Sequence, residues 1–330
     1  MDRRAVIVVG AAVSLLAHSF PAAAGVAPSG TLGTVTATTK AAPSCPAGST
    51  CQVVTVACPN VLQSRQATVA VASPTAARRG VVALFTGGSG SSFWGSARPA
   101  AGATVTKLRS AGFEVVQVRW HASWLAAARG EMAGSAALAC RPATIIRWIH
   151  DTRYAPMALP PAVVGRCGFC VSGTSGGSSA ITYALSHYGL DTLVDGIFPV
   201  SGPPHAALVK GCMRTPGEEG YWYSGSNTAI IDSSYGYLSP GPCTAHDSSF
   251  EPNWAADGVE ATGTDYLYSS TRVHLLIGSK DPVMALHANE YVAVLRAHGT
   301  TVTLQTVPTM PHDLSRSQLG LDTLHALLVA

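Results

Sequence analysis

Charged residues are scarce in this 330-residue sequence and make up only 12% of it. The formal net charge is +3 and no lysine- or arginine-rich run occurs, so the basic surface that nucleic-acid binding requires is missing. Apolar residues reach 47%, a proportion that excludes an intrinsically disordered chain and a coiled coil. The composition predicts a globular protein, in one large domain or two small ones, with no nucleic-acid partner.

Motifs for several other chemistries are also absent from the sequence. No glycine-rich stretch is followed by Gly-Lys-Ser/Thr, and the Gly-x-Gly-x-x-Gly fingerprint with its acidic residue does not occur, so nucleotide binding is not predicted. No cluster of cysteine and histidine has the spacing of a zinc site, and no internal repeat is found. We therefore expect neither a metal nor an organic cofactor.

Residues 1–24 have the layout of a secretory signal peptide. Arg3 and Arg4 supply the positive start, residues 5–16 the apolar core, and residues 22–24 a small-residue cleavage site. The core is about a dozen residues long, which is short for a membrane span. An uncleaved anchor is the alternative, and no later segment is long and apolar enough to cross a bilayer. We expect a secreted protein with no stable membrane insertion after cleavage.

The sequence contains eight cysteines, which we expect to form disulfides, because disulfides persist in exported proteins. Roughly a hundred pairings are possible, so the sequence leaves the connectivity open. Cys167 and Cys170 form a Cys-x-x-Cys pair, which suits thioredoxin-type redox chemistry as well as a structural disulfide. The pair leads directly into an apolar run and not into a helix N-terminus that would lower a thiol pKa. We therefore favour a structural disulfide.

Hydrophobic patterning divides the rest of the chain. Residues 25–50 show no apolar periodicity and predict a flexible leader or linker. Beyond them, strands are predicted at 52–57, 67–72, 80–85, 113–120, 193–200, 273–278 and 302–307, and helices at 103–111, 141–151, 284–297 and 314–329. This alternation predicts the α/β class, with a mostly parallel central sheet and helices on both faces.

One stretch carries the strongest chemical signal. An apolar run begins at Phe169, turns through Gly173-Thr174-Ser175-Gly176-Gly177 and continues with helical spacing. This is the layout of a nucleophile elbow, in which a tight strand-to-helix turn lifts one hydroxyl above a sheet. The glycines permit the close approach of helix and strand, and the helix N-terminus would direct free N–H groups at an oxyanion beside Ser175. A glycine-serine loop without chemistry is the alternative.

Two later predicted strands end next to residues that could activate Ser175. Asp281 and His312 each follow a strand, so all three side chains are expected at one edge of the sheet, where substrates bind in α/β proteins. Serine needs a base, which His312 would supply, and Asp281 would fix the imidazole tautomer. Asp281 could instead only cap a helix. The rival residues are His205 for the base and Asp257, Asp265 and Asp313 for the acid.

Two further segments predict contacts with a substrate. The glycine-rich loop 86–92 follows a buried-type strand, and its Gly88 amide would join the Gly176 amide in an oxyanion hole; a surface loop or a phosphate-binding turn is the alternative. Residues 203–270 break the strand–helix alternation and are rich in aromatic residues, which predicts a cap-like insertion over the site and leaves open an ordinary surface insertion. The expected substrate-binding residues are Ser89, Trp120, Thr174, Tyr221 and Trp222, although Trp120 also suits packing.

On these residues the chain resembles the α/β-hydrolase family over roughly residues 50–330. The likeness rests on residues 173–177, residues 278–282, residues 310–312 and the loop after Phe85, in which Thr86-Gly87 replaces the His-Gly of related enzymes. The resemblance implies an α/β-hydrolase domain at residues 51–330.

The same resemblance implies a secreted serine hydrolase, similar to esterases and lipases, that cleaves small-molecule or polymeric esters through an acyl-enzyme. A serine peptidase or an acyltransferase on the same fold stays open, because these differ in leaving group and acceptor and not in the triad. An exported binding protein without turnover is a further alternative, since a fold does not guarantee activity.

Overall fold

The computed structural model describes residues 30–38, 42, 44–159, 166–238, 240–263 and 265–330. The predicted signal peptide, residues 1–24, lies outside the described residues, as do residues 25–29 of the predicted leader. The described strands are β1 (Thr34–Ala37), β2 (Thr50–Ala57), β3 (Arg65–Ala72), β4 (Gly80–Phe85), β5 (Phe113–Trp120), β6 (Phe169–Thr174), β7 (Gly196–Val200), β8 (Arg272–Gly278) and β9 (Val302–Val307).

Helices lie between the parallel strands that follow one another along the chain. They are α1 (Pro99–Ser110), α2 (Gly134–Leu138), α3 (Cys140–Ile149), α4 (Gly176–Tyr188), α5 (Leu208–Met213), α6 (Gly225–Ser234), α7 (Pro242–Ala245), α8 (Glu251–Asp257), α9 (Val259–Thr262), α10 (Pro282–Ala297) and α11 (Gln318–Val329). A π-helical turn at His150–Tyr154 continues α3, and short 3-10 helices lie at Trp94–Ser96, Ala155–Met157, Glu219–Tyr221, Ser248–Phe250 and Leu314–Arg316. Within the described residues, no helix combines the length and apolar character that a membrane span requires.

The described strands form one sheet in the order β1-β2-β3-β5-β4-β6-β7-β8-β9. Strands β4 to β9 are parallel to one another, whereas β1, β2 and β3 form antiparallel pairs at one end of the sheet. The register places Phe85 of β4 opposite Val118 of β5 and Gly173 of β6. The carboxyl ends of the parallel strands therefore meet at one edge, and the predicted mostly parallel sheet is confirmed.

Helices cover both faces of this sheet, as the continuous apolar strands predict. Val82 and Leu84 of β4 belong to the buried cluster that includes α1 and α11, and Val81 and Ala83 belong to the cluster that includes α3, α4 and α10. Successive side chains of a strand point to opposite faces, so a strand buried on both sides must be apolar at every position. All six residues of β4 are buried.

The prediction of a flexible leader is wrong at residues 34–37, which form β1. This strand pairs antiparallel with β2, and the amide of Thr38 donates to the carbonyl of Val53 at 2.9 Å. Only Val35 is partly buried, while the other three residues of β1 are exposed. Because backbone pairing at the sheet edge holds this strand with almost no apolar burial, the sequence carries no periodic signal for it.

The eight cysteines form four disulfides, which confirms the prediction of disulfide bonds. The pairs are Cys45–Cys51, Cys58–Cys140, Cys167–Cys170 and Cys212–Cys243. Cys58–Cys140 joins the end of β2 to the start of α3 across 82 positions of the chain. Both members of the Cys-x-x-Cys pair are buried at the amino end of β6, which agrees with a structural disulfide.

Residues 203–270 form a group of five short helices, α5 to α9, around an apolar cluster of their own. Tyr223, Ile231, Phe250 and Trp254 pack there beside the Cys212–Cys243 disulfide. These helices pack against α2, α4 and α10. The insertion therefore extends the layer of helices on one face of the sheet, and its short elements explain why no long periodic pattern predicts them.

Two glycines allow α4 to approach the sheet closely. A Cβ atom on Gly173 would lie 2.1 Å from the carbonyl oxygen of Gly177, and one on Gly177 would lie 2.6 Å from the carbonyl oxygen of Phe85. Both distances are far below a van der Waals contact and both involve backbone atoms that cannot rotate away. The turn between β6 and α4 therefore depends on glycine at these positions.

We predict that Gly177→Ala destabilises the protein by about 1–3 kcal/mol, because the added methyl group forces α4 away from the end of β4. Gly225→Ala is the matched control, since a Cβ there meets no atom within 4 Å. It should change the free energy of unfolding by less than about 1 kcal/mol. Chemical denaturation of both variants measures the difference, and equal stabilities would contradict the close-approach argument.

Candidate active site

Ser175 occupies a strained turn between β6 and α4. Its backbone has φ +51° and ψ −119°, in a region that non-glycine residues adopt only when the surroundings impose it. The Ser175 amide donates to the carbonyl of Val200 at 2.9 Å, which extends the pairing of β6 with β7 into the turn. This conformation places the serine at the carboxyl edge of the sheet, as the elbow motif predicts.

His312 and Asp281 reach the same place from the loops after β9 and β8. His312 Nε2 lies 2.9 Å from Ser175 Oγ, and His312 Nδ1 lies 2.8 Å from Asp281 Oδ2. The two loops are tied together, because the Lys280 amide donates to the Met310 carbonyl at 3.1 Å. Three segments that are distant in the sequence thus form one line of hydrogen bonds from carboxylate to hydroxyl.

The electrostatics of this line fit proton transfer. The hydrogen bond from His312 to Asp281 raises the pKa of the imidazole above its ordinary value of 6.5, burial opposes this, and the charges of Asp281 and Asp313 add to the rise. The Asp281 side chain is only 9% exposed, whereas the His312 side chain is 47% exposed. With Nδ1–H donating to Asp281, Nε2 is left to accept the Ser175 proton.

Two backbone amides lie beside the serine. Gly88 has φ +57° in the loop after β4, and Gly176 is the first residue of α4. The segments are in close contact, since a Cβ on Gly176 would lie 3.1 Å from the Gly88 nitrogen. Neither amide donates to another group of the described chain. Two free N–H groups at this point can stabilise an oxyanion on a substrate attacked by Ser175.

A cavity of about 330 Å³ opens directly in front of Ser175. Its apolar floor consists of the buried side chains of Trp94, Ala101 and Leu314. The complete lining is Thr86, Gly87, Gly88, Ser92, Trp94, Ala97, Ala101, Thr174, Ser175, His312, Asp313, Leu314 and Ser315. A concave apolar site with a few polar groups at one end is typical of small-molecule binding.

The structure brings some of the predicted substrate-binding residues to this cavity and not others. Thr174 lines it, and Ser89 lies in the adjoining loop but donates to Ser91 Oγ at 2.9 Å and is outside the lining. Trp120 is 1% exposed and packs in the core against Gly90. For Trp120 the structure therefore corrects the expected substrate contact in favour of packing.

The contacts expected from the insertion are also corrected. Tyr221 donates its hydroxyl to Glu290 Oε1 at 2.6 Å, and Trp222 packs under the guanidinium of Arg214. No residue of 203–270 is among the described residues that line the cavity. The insertion packs on α2, α4 and α10, whereas the cavity lies at the amino end of α1, so this segment does not cap the described cavity.

The rival acids and base have other partners. His205 is buried beside Tyr223, and burial lowers its pKa to about 3. Asp257 accepts from two backbone amides at the start of α2, and Asp265 accepts from a backbone amide two residues further on. Asp313 lines the cavity, but its carboxylate caps the 3-10 helix that follows His312. Only Asp281 is hydrogen-bonded to His312 among these described acids.

Sequence reasoning missed the residues that form the floor of the cavity. Trp94 and Leu314 lie in the loops after β4 and β9, and Ala101 lies in the first turn of α1. Their positions just beyond strands at the site edge are a signal that could have identified Trp94 and Leu314. Ala101 carries no such signal, because a buried alanine in a helix is indistinguishable from a core residue in the sequence.

We predict that His312 titrates above pH 6.5 and that Asp281→Asn lowers its pKa, because the variant loses the charge that stabilises the imidazolium. Asp313→Asn should lower the pKa by a smaller amount, since it removes a nearby charge but leaves the hydrogen bond to Asp281. Asp322→Asn is the control, as Asp322 pairs with Lys107 on the surface. The signal of the His312 ring is assigned by NMR as the one that disappears in His312→Gln. Its pH titration is then measured in the wild type and in the three Asp→Asn variants. An unchanged pKa in Asp281→Asn would contradict the hydrogen-bond assignment.

Solved structures of esterases resemble this chain over most of its length. The hyperthermophilic esterase from the archaeon Pyrobaculum calidifontis aligns with a TM-score of 0.53 and 15% identity, over 84% of this chain and 85% of that one. Brefeldin A esterase, a bacterial homologue of human hormone sensitive lipase, aligns with a TM-score of 0.52 and 15% identity, over 88% of this chain and 79% of that one.

A peptidase is also among the similar structures. The puromycin-hydrolyzing peptidase of Mycobacterium tuberculosis has a TM-score of 0.50 and 14% identity, over 81% of this chain and 36% of the peptidase, so this chain spans about a third of that protein. No protein-family model and no curated protein matches the sequence. The sheet order, the elbow and these structures establish that the chain has the α/β-hydrolase fold.

Proposed function

We propose that this protein is a secreted serine hydrolase that cleaves carboxylic esters through an acyl-enzyme on Ser175. One observation carries the proposal: Asp281, His312 and Ser175 form a continuous line of hydrogen bonds of 2.8 and 2.9 Å that ends at an apolar cavity. The similarity to solved esterases supports a hydrolase, and the geometry supports serine as the nucleophile.

In the first half of the reaction Ser175 Oγ attacks the ester carbonyl carbon while His312 Nε2 takes the hydroxyl proton. The resulting oxyanion accepts hydrogen bonds from the Gly88 and Gly176 amides, each of which is typically worth about 3–4 kcal/mol of transition-state stabilisation. Asp281 stabilises the imidazolium without accepting its proton. The tetrahedral intermediate collapses when the alcohol oxygen takes the proton from His312 Nε2 and leaves.

In the second half a water molecule replaces the alcohol. His312 Nε2 removes a proton from the water, and the water oxygen attacks the acyl carbon. The tetrahedral intermediate then collapses as Ser175 Oγ leaves and takes the proton held by the imidazole. The carboxylic acid then departs and the free enzyme is restored. An alcohol in place of water would give acyl transfer through the same groups, so the acceptor alone distinguishes a hydrolase from an acyltransferase.

The lining of the cavity suits an apolar acyl group, because Trp94, Ala101 and Leu314 are apolar and the carboxylate of Asp313 is bound by Ser315 and Arg316. The similarity to the puromycin-hydrolyzing peptidase makes a peptidase the second candidate. The two reactions use the same triad and differ in the leaving group.

Secretion is part of the proposal. The four disulfides agree with an oxidising compartment, and the predicted signal peptide supplies the route. Cleavage after residue 24 would leave Gly25 as the first residue of the exported protein, which N-terminal sequencing tests.

We propose further that the acyl group occupies the floor of the cavity. The acyl group stays covalently bound until water attacks, whereas the alcohol must diffuse away. Trp94, Ala101 and Leu314 of the floor are buried, while the ring of His312, which protonates the alcohol, is half exposed. A buried apolar surface suits the retained acyl group, and an exposed position suits the departing alcohol.

We predict that the protein hydrolyses p-nitrophenyl butyrate and that Ser175→Ala lowers kcat by several orders of magnitude, because the nucleophile is lost. An organophosphonate should label the wild-type protein on the peptide that contains Ser175 and leave the variant unlabelled. Ser178→Ala, in the same helix, is the control and should remain active. Faster turnover of a peptide p-nitroanilide than of the ester would favour the peptidase. Intact turnover in Ser175→Ala would refute the assignment.

We predict that Ala101→Leu shortens the acyl pocket and lowers the ratio of kcat/KM for p-nitrophenyl octanoate over p-nitrophenyl acetate by about tenfold or more. The acetate reaction reports folding and triad integrity in the same variant. Ala100→Leu lies in the same turn of α1 outside the cavity lining and should leave the ratio unchanged. A constant ratio in Ala101→Leu would place the acyl group elsewhere.

A further inference from the structure

Exposed apolar side chains are concentrated in one part of the described surface. The large apolar side chains that are exposed there are Leu62, Met132, Tyr237, Leu238, Leu267 and Leu319. The first four lie in three loops, namely 58–64 between β2 and β3, 121–133 between β5 and α2, and 235–238 after α6. We name these four side chains the apolar patch.

Glu131 joins these three loops to one another. Its carboxylate accepts from the Leu62 amide at 2.6 Å and from the Ala128 amide at 2.8 Å. The neighbouring Gly130 amide donates to the carbonyl of Gly236 at 3.1 Å. Each member of the apolar patch is therefore at, or within two residues of, a position in this network.

A buried arginine holds two of these loops, 58–64 and 121–133. Arg141 of α3 is completely buried and donates to the carbonyl oxygens of Trp124 at 2.6 Å, Ala126 at 2.9 Å and Gln63 at 2.9 Å. Burying a guanidinium is costly unless its donors find acceptors, and these carbonyl oxygens serve Nη1 and Nη2, so the two loops are fixed at the points where they meet it. Loop 235–238 is fixed through the carbonyl of Gly236. The apolar patch thus stands on a preorganised backbone.

The patch lies on the side of the sheet that carries the active site. Loop 121–133 follows the carboxyl end of β5, whose last residue, Trp120, pairs with Ala67 near the start of β3. Loop 58–64 precedes β3 and therefore lies at the same edge. The carboxyl end of β6, where Ser175 lies, is at this edge as well, because β5, β4 and β6 are parallel.

The order of exposure within the patch fits a fluid apolar surface. Leu62 and Leu238 are 81% and 72% exposed, whereas Met132 and Tyr237 are 50% and 38% exposed. The most exposed aliphatic side chains can enter a layer of acyl chains. A less exposed tyrosine can keep its hydroxyl at the polar boundary of that layer.

Other occupants fit less well. Four side chains at these exposures offer less than the ~800 Å² that each partner buries in a stable protein complex, so a second copy of the chain is disfavoured. The charges around the patch are mixed, with Glu131 close to Arg65 and Arg129 exposed on the same loop. Among the described residues, no group of positive charges surrounds the patch, so electrostatic attraction does not favour an anionic lipid surface over a neutral one.

We propose that the apolar patch docks the protein onto the surface of emulsified neutral acylglycerol, with the active-site edge facing the lipid. This inference deepens the proposed function, because it supplies water-insoluble esters to the Ser175 cavity. Docking itself needs no turnover, so the two proposals fail separately.

The experiment measures flotation of the Ser175→Ala protein with a triolein emulsion stabilised by phosphatidylcholine. Adding Leu62→Ser and Leu238→Ser together should weaken binding by about tenfold or more, since two side chains that enter the acyl layer are lost. Leu267→Ser with Leu319→Ser is the matched control, with two exposed leucines outside the patch. In proteins that retain Ser175, both double variants should hydrolyse soluble p-nitrophenyl acetate as the wild type does.

A second measurement tests docking independently of the double variant, in case that variant does not fold. Leu238→Trp should shift its added tryptophan emission to shorter wavelength when the emulsion is present. Absence of binding by the Ser175→Ala protein, equal binding by the two double variants, or no emission shift would each overturn the docking proposal. A dimer in gel filtration that Leu62→Ser with Leu238→Ser dissociates would assign the patch to a second copy and also overturn it. Binding without ester hydrolysis would leave docking intact and refute the proposed function.

Discussion

The close packing of α4 on β4 and β6 is the constraint on which the site depends. The strained backbone of Ser175 is held between a strand and a helix that meet through glycine. The same contact brings the loop after β4 against the first residue of α4, so that two free amides lie beside the serine hydroxyl. A larger distance between α4 and the strands would relax the turn at Ser175 and would also move the two amides apart, because the same contact determines the turn and the position of the amides.

The acid and the base of the site lie on loops at the carboxyl ends of other strands. Asp281 and His312 lie on loops after neighbouring parallel strands, and the amide of Lys280 joins the two loops. The floor of the cavity comes from α1 and from two loops that also carry site residues, since Trp94 lies in the loop of Gly88 and Leu314 in the loop of His312. Of the three floor residues, only Ala101 belongs to an element that carries neither a triad residue nor an oxyanion amide, so the cavity can change in size there without disturbing the hydrogen-bonded line.

Sequence patterns predict the features that burial or strict geometry enforces. Strand β4 is apolar at every position because both faces are covered, and the elbow needs glycine because backbone atoms meet there, so both leave marks in the sequence. Strand β1 is held mainly by backbone pairing, with only Val35 partly buried, and leaves none. The aromatic residues of the insertion predict a cap, but Tyr223 and Trp254 pack in the insertion's own core. The sequence pattern shows that a side chain is apolar, but it does not show which surface that side chain covers.

The four disulfides share a simple order along the chain. Every cysteine is bonded to the next or the preceding cysteine, in the pairs 45–51, 58–140, 167–170 and 212–243. If the protein is exported with its N-terminus first, the second cysteine of each pair is therefore the first possible partner to follow the first one. Oxidation of the cysteines two by two in their order along the chain gives this connectivity.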